Sequence, residues 1–495
     1  MALDPIVSQT KVGYAVYPSV FVYELKTEVA SGKKILTKGK QLLFGDRISI
    51  KHVDGQPVVH TIGKKSYVSI RARNTDGFVL DSDIQPDRIL EVNFIDVGQG
   101  DGCHIVTPDD KHFLIDAGPG DNMYRFLRWR FNLKNANTPP PPFTVIVSHS
   151  DSDHYEGFRY IFKSDDNTRQ QFTIDKVYHN GLVELNGNSI NTLGRVIQSD
   201  GIDYITDLCD DQAGFQQRAD SSLKGNYVSI LSQTSASKES LRLGSPPVYD
   251  SNGLKIEVLG PVAQLIEGKA ALPVFKIDKG KTKNGHSIIL KLTMGRVKML
   301  LGGDLNEPAE DYLMKHYTNV DIASLRKQLA NPEAGPEAVL QIRMQLLLAV
   351  EQARKVLQVD VAKSCHHGSS DFTSEFMQAV NPLATIISSG DNEPHVHPRP
   401  DTLGTIGKHS RGERSLIFST ELARSSKEFV ELALKKKDDK VKTRVVTVYG
   451  MINVRTDGQR MIIAQRLERK AARGDWDIHQ FVWNPAKDEI EYQIK

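Results

Sequence analysis

The chain has 495 residues, which predicts one to three domains, and its 39% hydrophobic and 25% charged content is ordinary for a folded protein. A formal net charge of +2 at pH 7 excludes a globally basic nucleic-acid-binding protein. Three scattered cysteines, Cys103, Cys209 and Cys365, exclude a disulfide framework and favour a reducing compartment. No apolar run is long enough for a membrane span, and the amino terminus lacks the features of a signal peptide. We therefore expect a cytoplasmic protein with no membrane contact.

Short apolar runs alternate with turn residues through residues 12–86, including Asp54-Gly55 and Asp76-Gly77. Pieces of β-favouring sequence at this spacing predict a small barrel. The stretch "DGFVLDSDI" resembles the last strand of bacterial SH3-like domains, where an aromatic residue and a valine follow a turn glycine. We predict an SH3-like β-barrel module over residues 1–88 that docks on a protein partner rather than carrying chemistry.

A different pattern begins near Ile89, where "ILEVNFIDVGQGDGCHIVTPDDKHFLIDAG" predicts three strands separated by a glycine-rich turn and an Asp-Asp turn. Gly98 and Gly100 follow a strand, as they would in a dinucleotide-binding fingerprint. The fingerprint fails, because its third glycine would fall at Cys103 and a strand follows where a helix is needed. This turn therefore does not predict a dinucleotide site.

The rest of the chain mixes strands and helices. Strands are predicted in "TIDKVYHNG", "LKIEVLGP" and "SIILKLTMGRVKMLLGGD", and helices over residues 121–134 and 307–358. Residues 185–250 are polar, and they predict no clear element. A hairpin is predicted around Asp457-Gly458. This order predicts an α/β core flanked by two small β-rich regions.

The stretch "VIVSHSDSDHYEGF" places metal-ligating residue types directly after a predicted strand. His149, Asp151, Asp153 and His154 follow the β-favouring residues 145–148. Imidazoles and carboxylates are the groups that bind divalent transition metals. A solvated acidic loop is the alternative interpretation of this stretch alone.

Three later strands end in the same kind of residue. Asp304 follows "VKMLLGG", His366 and His367 follow "VAKSC", and His397 lies in "HVHPRP". Taken singly, Asp304 is explained as a helix N-cap and the histidines as a polar pair and a loop residue. Four such strand ends together predict a metal site, because buried strands have no use for carboxylates unless these are paired or coordinate a cation.

The motifs "FIDVGQGDGCHI", "LIDAG", "SHSDSDHYEGF", "LLGGDL", "CHHGSS" and "HP" resemble, in this order, those of the metallo-β-lactamase superfamily. More narrowly, they are similar to the β-lactamase-like domain of the ComEC family of competence DNA-uptake proteins, which carries aspartate where most of the superfamily has histidine, as at Asp151. The resemblance covers residues 90–405, with insertions at 185–250 and 317–358. It implies an α/β fold that is a four-layer αβ/βα sandwich, with the metal site along one edge of the two sheets.

The resemblance also implies roles for individual residues. The metal ligands that it implies are His149, Asp151, Asp153, His154, Asp304 and His366, with Asp304 bridging two ions. Further ligands or supporting residues would be His286, His367, Asp96 and Asp116. Catalytic roles would fall to Asp153 and to His397, which would contact a substrate phosphate or assist proton transfer. The implied cofactor is one or two divalent ions, zinc or manganese, and the oxygen ligand Asp151 shifts the preference toward manganese.

Three domains are predicted: the SH3-like module over residues 1–88, a metallo-β-lactamase-like catalytic domain over 89–424 and a β-rich extension over 425–495. The first functional hypothesis is a phosphodiesterase or nuclease that cleaves DNA with a metal-activated water. One alternative is a hydrolase of a small phosphoester, thioester or lactone, because this fold hosts many chemistries. The other is a non-catalytic interaction protein with a vestigial site.

The hypotheses differ in the surface that they predict beside the metal. A nuclease predicts a groove lined by lysine and arginine, with Arg125, Arg128 and Arg130 as the first candidates for binding nucleic acid. A small-molecule enzyme predicts a closed pocket with residues 185–250 as a lid. The vestigial-site hypothesis is weakened because these six residues are all present: His149, Asp151, Asp153, His154, Asp304 and His366.

Overall fold

The computed structural model of the protein describes residues 10–27, 34–62, 64–133, 139–163, 172–390, 395–422, 427–430, 444–447, 450–471 and 474–494. Within these ranges the fold is mixed α/β, with two large sheets and with helices on their outer faces. Across the same ranges, every helix is too short or too polar to span a membrane.

The first large sheet has ten strands within the described ranges. The four strands at one end of the sheet run parallel to one another, and antiparallel strands continue it on the other side. In spatial order the strands are Ser237–Ser240, Ile174–His179, Phe143–Ile146, His112–Ala117, Gly102–Val106, Leu90–Ile95, Met451–Thr456, Arg460–Ala471, Gly474–Asn484 and Glu489–Gln493.

The second large sheet has seven strands among the described residues. Its last four strands are parallel, and the first ones are antiparallel. In spatial order the strands are Tyr249–Ser251, Leu254–Gly260, Ile289–Met294, Val297–Leu301, Val361–Lys363, Ala384–Ile387 and Leu416–Ser419.

The two sheets face each other across a shared apolar core. Phe113 and Ile115 of the first sheet pack in one cluster with Leu290 and Leu292 of the second. Leu114, between Phe113 and Ile115 in sequence, belongs instead to the core under the helices on the outer face. This alternation follows from strand geometry, because successive side chains point to opposite faces.

Helices cover the outer face of each sheet. Met123 and Phe126 of one helix pack on the first sheet, and the long helix Pro336–Leu357 belongs to the cluster that covers Ile289 of the second. The resulting order of helix, sheet, sheet and helix is consistent with the predicted αβ/βα sandwich. The α-helices described are Asn122–Arg130, Ser152–Tyr155, Arg159–Phe162, Gln212–Ala219, Asn226–Leu231, Lys279–Gly285, Glu307–Thr318, Ile322–Leu329, Pro336–Leu357, Ser374–Val380 and Pro400–His409.

The amino-terminal region forms a separate antiparallel sheet with its own core, which includes Val22, Leu42 and Val68. Its strands, in spatial order, are Ile84–Gln85, Val12–Ala15, Arg47–Ile50, Lys65–Ala72, Thr75–Leu80, Ser19–Thr27 and Lys34–Leu43, with Val59–Ile62 also paired to Lys65–Ala72 and with a short pair His52–Val53 and Gln56–Pro57. The region is β-rich, as the sequence predicts. Closure into an SH3-like barrel and docking on a protein partner stay predictions.

Strands from distant parts of the chain meet in the first sheet. Leu90–Ile95 pairs with Met451–Thr456, which forms the predicted hairpin with Arg460–Ala471. Residues of the predicted carboxyl-terminal extension therefore continue this sheet. The predicted boundary at residues 424 and 425 lies outside the described residues, and the domain boundaries stay predictions.

Residues 185–250 contain regular elements that their composition did not predict. Phe215 and Tyr227, each from a short helix, pack in the outer core of the first sheet. A small sheet lies alongside, with the strand order Arg195–Ser199, Ile202–Thr206, Lys269–Pro273 and Gln264–Ile266. One further strand pair is described, Lys427–Val430 with Arg444–Thr447.

Candidate metal centre

Asp153, His154, Asp304 and His367 meet where parallel strands of the two sheets end. Asp153 and His154 follow a strand of the first sheet, and Asp304 and His367 follow strands of the second. One ligand atom from each residue lies within 4.8 Å of the others. We call these four residues the ligand cluster.

Carboxylate oxygens face imidazole nitrogens within the ligand cluster. Nε2 of His154 lies 3.3 Å from Oδ1 of Asp304 and 4.0 Å from Oδ1 of Asp153. Nε2 of His367 lies 3.1 Å from Oδ2 of Asp304 and 3.5 Å from Oδ2 of Asp153. Each aspartate therefore has one oxygen near each imidazole.

The second ring nitrogen of each imidazole is held by the protein. Nδ1 of His154 donates to Oδ2 of Asp116 at 2.8 Å, and Nδ1 of His367 donates to the backbone carbonyl of Ser388 at 2.9 Å. In the neutral imidazole these bonds fix the tautomer whose lone pair is on Nε2. Both lone pairs are thereby directed into the ligand cluster.

Unusual backbone conformations support this geometry. His366 and His367 have φ values of 47° and 53°, a left-handed conformation that is uncommon outside glycine and that clusters at functional sites. Gly100 has a φ of +112°, and a Cβ atom there would collide with the backbone carbonyl of Asp153. Glycine is therefore required for the turn "VGQGD" to pack against the ligand cluster.

The donor set of the ligand cluster fits a divalent cation. Nε2 of His154, Nε2 of His367 and Oδ1 of Asp304 are buried, and within the described part of the chain they have no hydrogen-bond partner. Burial acts to lower the pKa of both histidines, but the carboxylates around them outweigh it and raise the pKa well above its usual range. The site thus attracts positive charge strongly, and two imidazoles with two carboxylates suit zinc or manganese.

The acidic residues behind the ligand cluster have partners that the protein itself supplies. Asp101 forms an ion pair with Lys363, whose Nζ also donates to a backbone carbonyl at 2.9 Å. Asp116 accepts hydrogen bonds from the backbone and the hydroxyl of Ser148 as well as from His154. Asp116 therefore orients His154 in the ligand cluster, and Asp101 is paired with a cation of the protein.

His149, Asp151 and His366 line the same region but contact other partners. Nε2 of His149 lies 3.7 Å from Oδ2 of Asp151, and Oδ1 of Asp151 forms an ion pair with Lys283. Nε2 of His366 lies 3.4 Å from the side-chain amide of Asn284. Over the described residues, these three do not form a second compact group of metal-ligating atoms.

His286 and Asp96 take part in local bonds away from the ligand cluster. Nε2 of His286 bonds the carbonyl of Pro273 at 2.7 Å, and its ring stacks on Phe275 with centroids 4.7 Å apart. Oδ1 of Asp96 accepts from the backbone of Gly98 at 3.1 Å. Asp96 thus supports the glycine-rich turn.

His397 lines the cavity over the ligand cluster, and its ring centroid is 5.9 Å from that of His366. The cavity has a volume of about 840 Å³. One of its walls is made by residues 184–188 and 225–227, from the region that the sequence analysis considers as a lid. In that wall the hydroxyl of Tyr227 is buried and has no hydrogen-bond partner among the described residues.

The arginines considered for nucleic-acid binding lie elsewhere. Arg125, Arg128 and Arg130 are on the helix Asn122–Arg130, and among the described residues none of them lines this cavity. Arg130 instead forms an ion pair with Glu91 at 2.9 Å. Their predicted role on nucleic acid stays a prediction.

Four residues of the site are not indicated by any motif of the sequence: Asp101, Lys363, Lys283 and Glu184. Asp101 and Lys363 carry a local signal, because each is a charge beside or within an otherwise apolar strand. Lys283 and Glu184 carry none, since their contact joins segments that are distant in sequence.

The layered sheets and the ligand cluster are consistent with the resemblance to the metallo-β-lactamase superfamily that the motifs carry. The chain is 26% identical over 335 residues to ComE operon protein 3 of Bacillus subtilis (strain 168). The match covers 65% of this chain and 31% of that protein, so the chain matches less than a third of its relative's length. This similarity confirms the resemblance to the ComEC type that the motifs indicate.

No protein-family model matches the sequence. A solved metal-dependent hydrolase of the β-lactamase superfamily aligns with 67% of this chain and 96% of its own. The identity is 9% and the TM-score is 0.28, values too low to support a conclusion about fold or function.

Proposed function

We propose that this protein is a metal-dependent phosphodiesterase that cleaves DNA at the ligand cluster. One observation carries the proposal: ligand atoms of His154, His367 and Asp304 converge in a buried place with no hydrogen-bond partner among the described residues. Buried polar atoms in that state are costly unless a cation or a proton lies between them. A permanent role in metal binding explains the arrangement.

Asp153, His154, Asp304 and His367 would hold the ion. When bound, a divalent ion supplies Lewis-acid chemistry, because it polarises a phosphoryl oxygen and lowers the pKa of a water. The protein's own part is to orient the ligands through Asp116 and the Ser388 carbonyl.

Asp153 and His397 are the groups that we propose for proton handling. Burial acts to raise the pKa of Asp153, but His154 and His367 outweigh it and lower that pKa overall. Asp153 is therefore ionised at neutral pH, and its side chain is 25% exposed on the cavity side of the cluster. It can accept a hydrogen bond from an attacking water, while His397 contacts the phosphate.

DNA is the proposed substrate because of the resemblance to ComEC-type domains and the similarity to ComE operon protein 3. A second candidate, hydrolysis of a small phosphoester, is favoured by the cavity itself. Among its described lining residues, Lys283 is the one lysine or arginine. A groove that follows a nucleic-acid backbone usually offers more positive charge than this.

The test is incubation of the purified chain with linear single-stranded and double-stranded DNA, RNA and a small phosphodiester, each with Mn²⁺, Mg²⁺ or Zn²⁺. We expect metal-dependent cleavage of DNA that is lost in Asp153→Ala and Asp304→Ala. Asp488→Ala, which changes an exposed carboxylate paired with Arg296, is the matched control and should cleave as the parent does.

The outcomes separate the candidates. Cleavage of the small diester without cleavage of any polymer would favour the second candidate. Absence of hydrolysis with every substrate and metal, from protein shown to be folded and metal-loaded, would contradict both.

A further inference from the structure

Asp151 has both of its carboxylate oxygens engaged by groups of the protein. Oδ1 forms an ion pair with the ammonium of Lys283. Oδ2 lies 3.7 Å from Nε2 of His149. The side-chain amide of Asn284, in the orientation that satisfies its hydrogen bonds, also donates to Oδ2 at 2.6 Å. Asp151, one of the metal ligands that the resemblance implies, is thus surrounded by donors.

Lys283 is held firmly in this position. Its Nζ also lies 3.0 Å from Oε2 of Glu184, and its side chain is only 13% exposed. Asp151 and Glu184 therefore share this cation beside the ligand cluster, and Glu184 also pairs with Lys279.

The local fold aims Lys283 at the cavity. It lies in the last turn of the helix Lys279–Gly285, whose first turn is capped by the side chain of Asp278. Directly after this helix, the hydroxyl of Ser287 accepts from the backbone N–H of Asp304 at 3.0 Å. The helix end and the ligand cluster are thus joined, and Lys283 lines the same cavity as Asp304.

The contrast with the ligand cluster is chemical. Asp304 faces two imidazole nitrogens at 3.3 and 3.1 Å, and because imidazole is itself a metal ligand, a cation can enter there. Asp151 faces an ammonium and an amide, which already provide the positive charge and the hydrogens that its oxygens need. A divalent ion at Asp151 would have to displace Lys283 from both of its carboxylate partners.

We propose that the ammonium of Lys283 occupies the place of a second metal ion, so that the site holds a single divalent ion and Lys283 supplies the second positive charge to a substrate phosphate. The number of ions follows from the contacts alone. The part that concerns phosphate rests on the proposed function, because it assumes a phosphoester substrate.

The number of bound ions is tested by titrating metal-free protein with Mn²⁺ in a calorimeter and by measuring manganese after equilibrium dialysis. We expect one ion per chain for the parent and a second, weaker ion for Lys283→Met, because Asp151 then loses its ammonium partner and lies beside the imidazole of His149. Lys279→Met is the matched control, since Lys279 is on the same helix and contacts Glu184 at 2.5 Å, and it should stay at one ion.

Two ions on the parent protein would overturn the proposal, and so would a single ion on both Lys283→Met and Lys283→Gln with thermal unfolding showing that they are folded. These readouts do not require catalysis, so failure to cleave DNA would leave this result standing and would count against the proposed function only.

The phosphate part is tested by binding of inorganic phosphate to protein loaded with one equivalent of Mn²⁺. Loss of one charge-assisted contact in Lys283→Met should weaken binding roughly 10- to 100-fold. Lys283→Arg, which keeps the charge, should recover much of this loss. Equal phosphate affinity in the parent and Lys283→Met would contradict the phosphate role.

Discussion

Two buried groups of carboxylates lie near opposite ends of the strands of the first sheet, and the protein neutralises them differently. At one end Asp46 and Glu91 flank Arg455, whose guanidinium lies 2.8 Å from Asp46 and 3.4 Å from Glu91. Arg73 and Arg130 complete the group, each 2.9 Å from one of these carboxylates. We call these five residues the arginine network. It links the amino-terminal region to two neighbouring strands of the first large sheet, Leu90–Ile95 and Met451–Thr456.

The ligand cluster at the other end has no arginine in contact with it among the described residues. The ammonium of Lys363 comes within 3.7 Å of Asp304, but it is already paired with Asp101. The difference indicates which buried carboxylates are available to bind a metal ion. A buried carboxylate that serves the fold receives its cation from an arginine or lysine of the chain, whereas one that serves a metal has imidazoles beside it whose protons a metal ion can displace.

The largest effect on metal binding is expected for Asp304→Asn. The change removes the charge on which both imidazoles converge, and we expect Mn²⁺ binding and hydrolysis to be abolished, as measured by calorimetry and by the cleavage assay. Asp360→Asn is the control, because Asp360 is a buried carboxylate that the chain pairs with Arg411. It should bind metal normally, and metal binding by Asp304→Asn would refute the assignment.

For Arg455→Met we expect the stability of the fold to fall while metal binding stays unchanged. Asp46 and Glu91 would lose the cation between them, and breaking a buried ion pair in this way costs about 3 to 5 kcal/mol in the free energy of unfolding. Chemical denaturation measures the loss, and the metal affinity of the folded variant should be unchanged. Arg296→Met, at an exposed pair, should leave stability nearly unchanged. Altered metal affinity in Arg455→Met would show that the two groups are not independent.

A smaller change in the ligand cluster is expected from Asp116→Asn. This variant weakens the bond that orients His154, and loss of such a supporting bond lowers metal affinity roughly 10- to 100-fold. Asp96→Asn is matched to it, since Asp96 accepts from a backbone N–H instead of an imidazole. Equal affinities in the two variants would mean that the bond to His154 has no role in binding.

The affinity of the ligand cluster for a metal ion should also change gradually with pH. The pKa values of His154 and His367 are raised in the metal-free protein, so both carry protons at neutral pH, and a metal ion must displace these protons. Affinity for Mn²⁺ should therefore rise with pH, about tenfold per pH unit for each proton released. Calorimetry in buffers of different ionisation enthalpy counts the protons. An affinity that does not change with pH would contradict the raised pKa values of His154 and His367.

The sequence points to residues of ligand type because each follows an apolar strand. The resemblance favours His366 over His367 as a ligand, but which of two neighbouring side chains faces the cluster depends on the left-handed turn, which the sequence does not predict. The structure places His367 in the ligand cluster and His366 beside Asn284. The positions of Lys283 and Lys363 are equally beyond sequence reasoning, because a lysine's partner is set by tertiary contacts.

The α/β class is also predictable from alternating strands and helices, whereas the sheet order is not. Nothing local in Leu90–Ile95 indicates that its neighbour is Met451–Thr456. The wall of residues 184–188 and 225–227 comes from a polar region that shows no clear periodicity, and its helices are stabilised by packing on the first sheet.

The pairing of Leu90–Ile95 with Met451–Thr456 also has a consequence for biosynthesis. Ribosomes elongate at about 5 to 20 residues per second, so the early strand emerges tens of seconds before its neighbour exists. During that interval its open edge can pair with another nascent polypeptide. Translation speed and chaperone capture should therefore govern the yield of native protein more than final stability does.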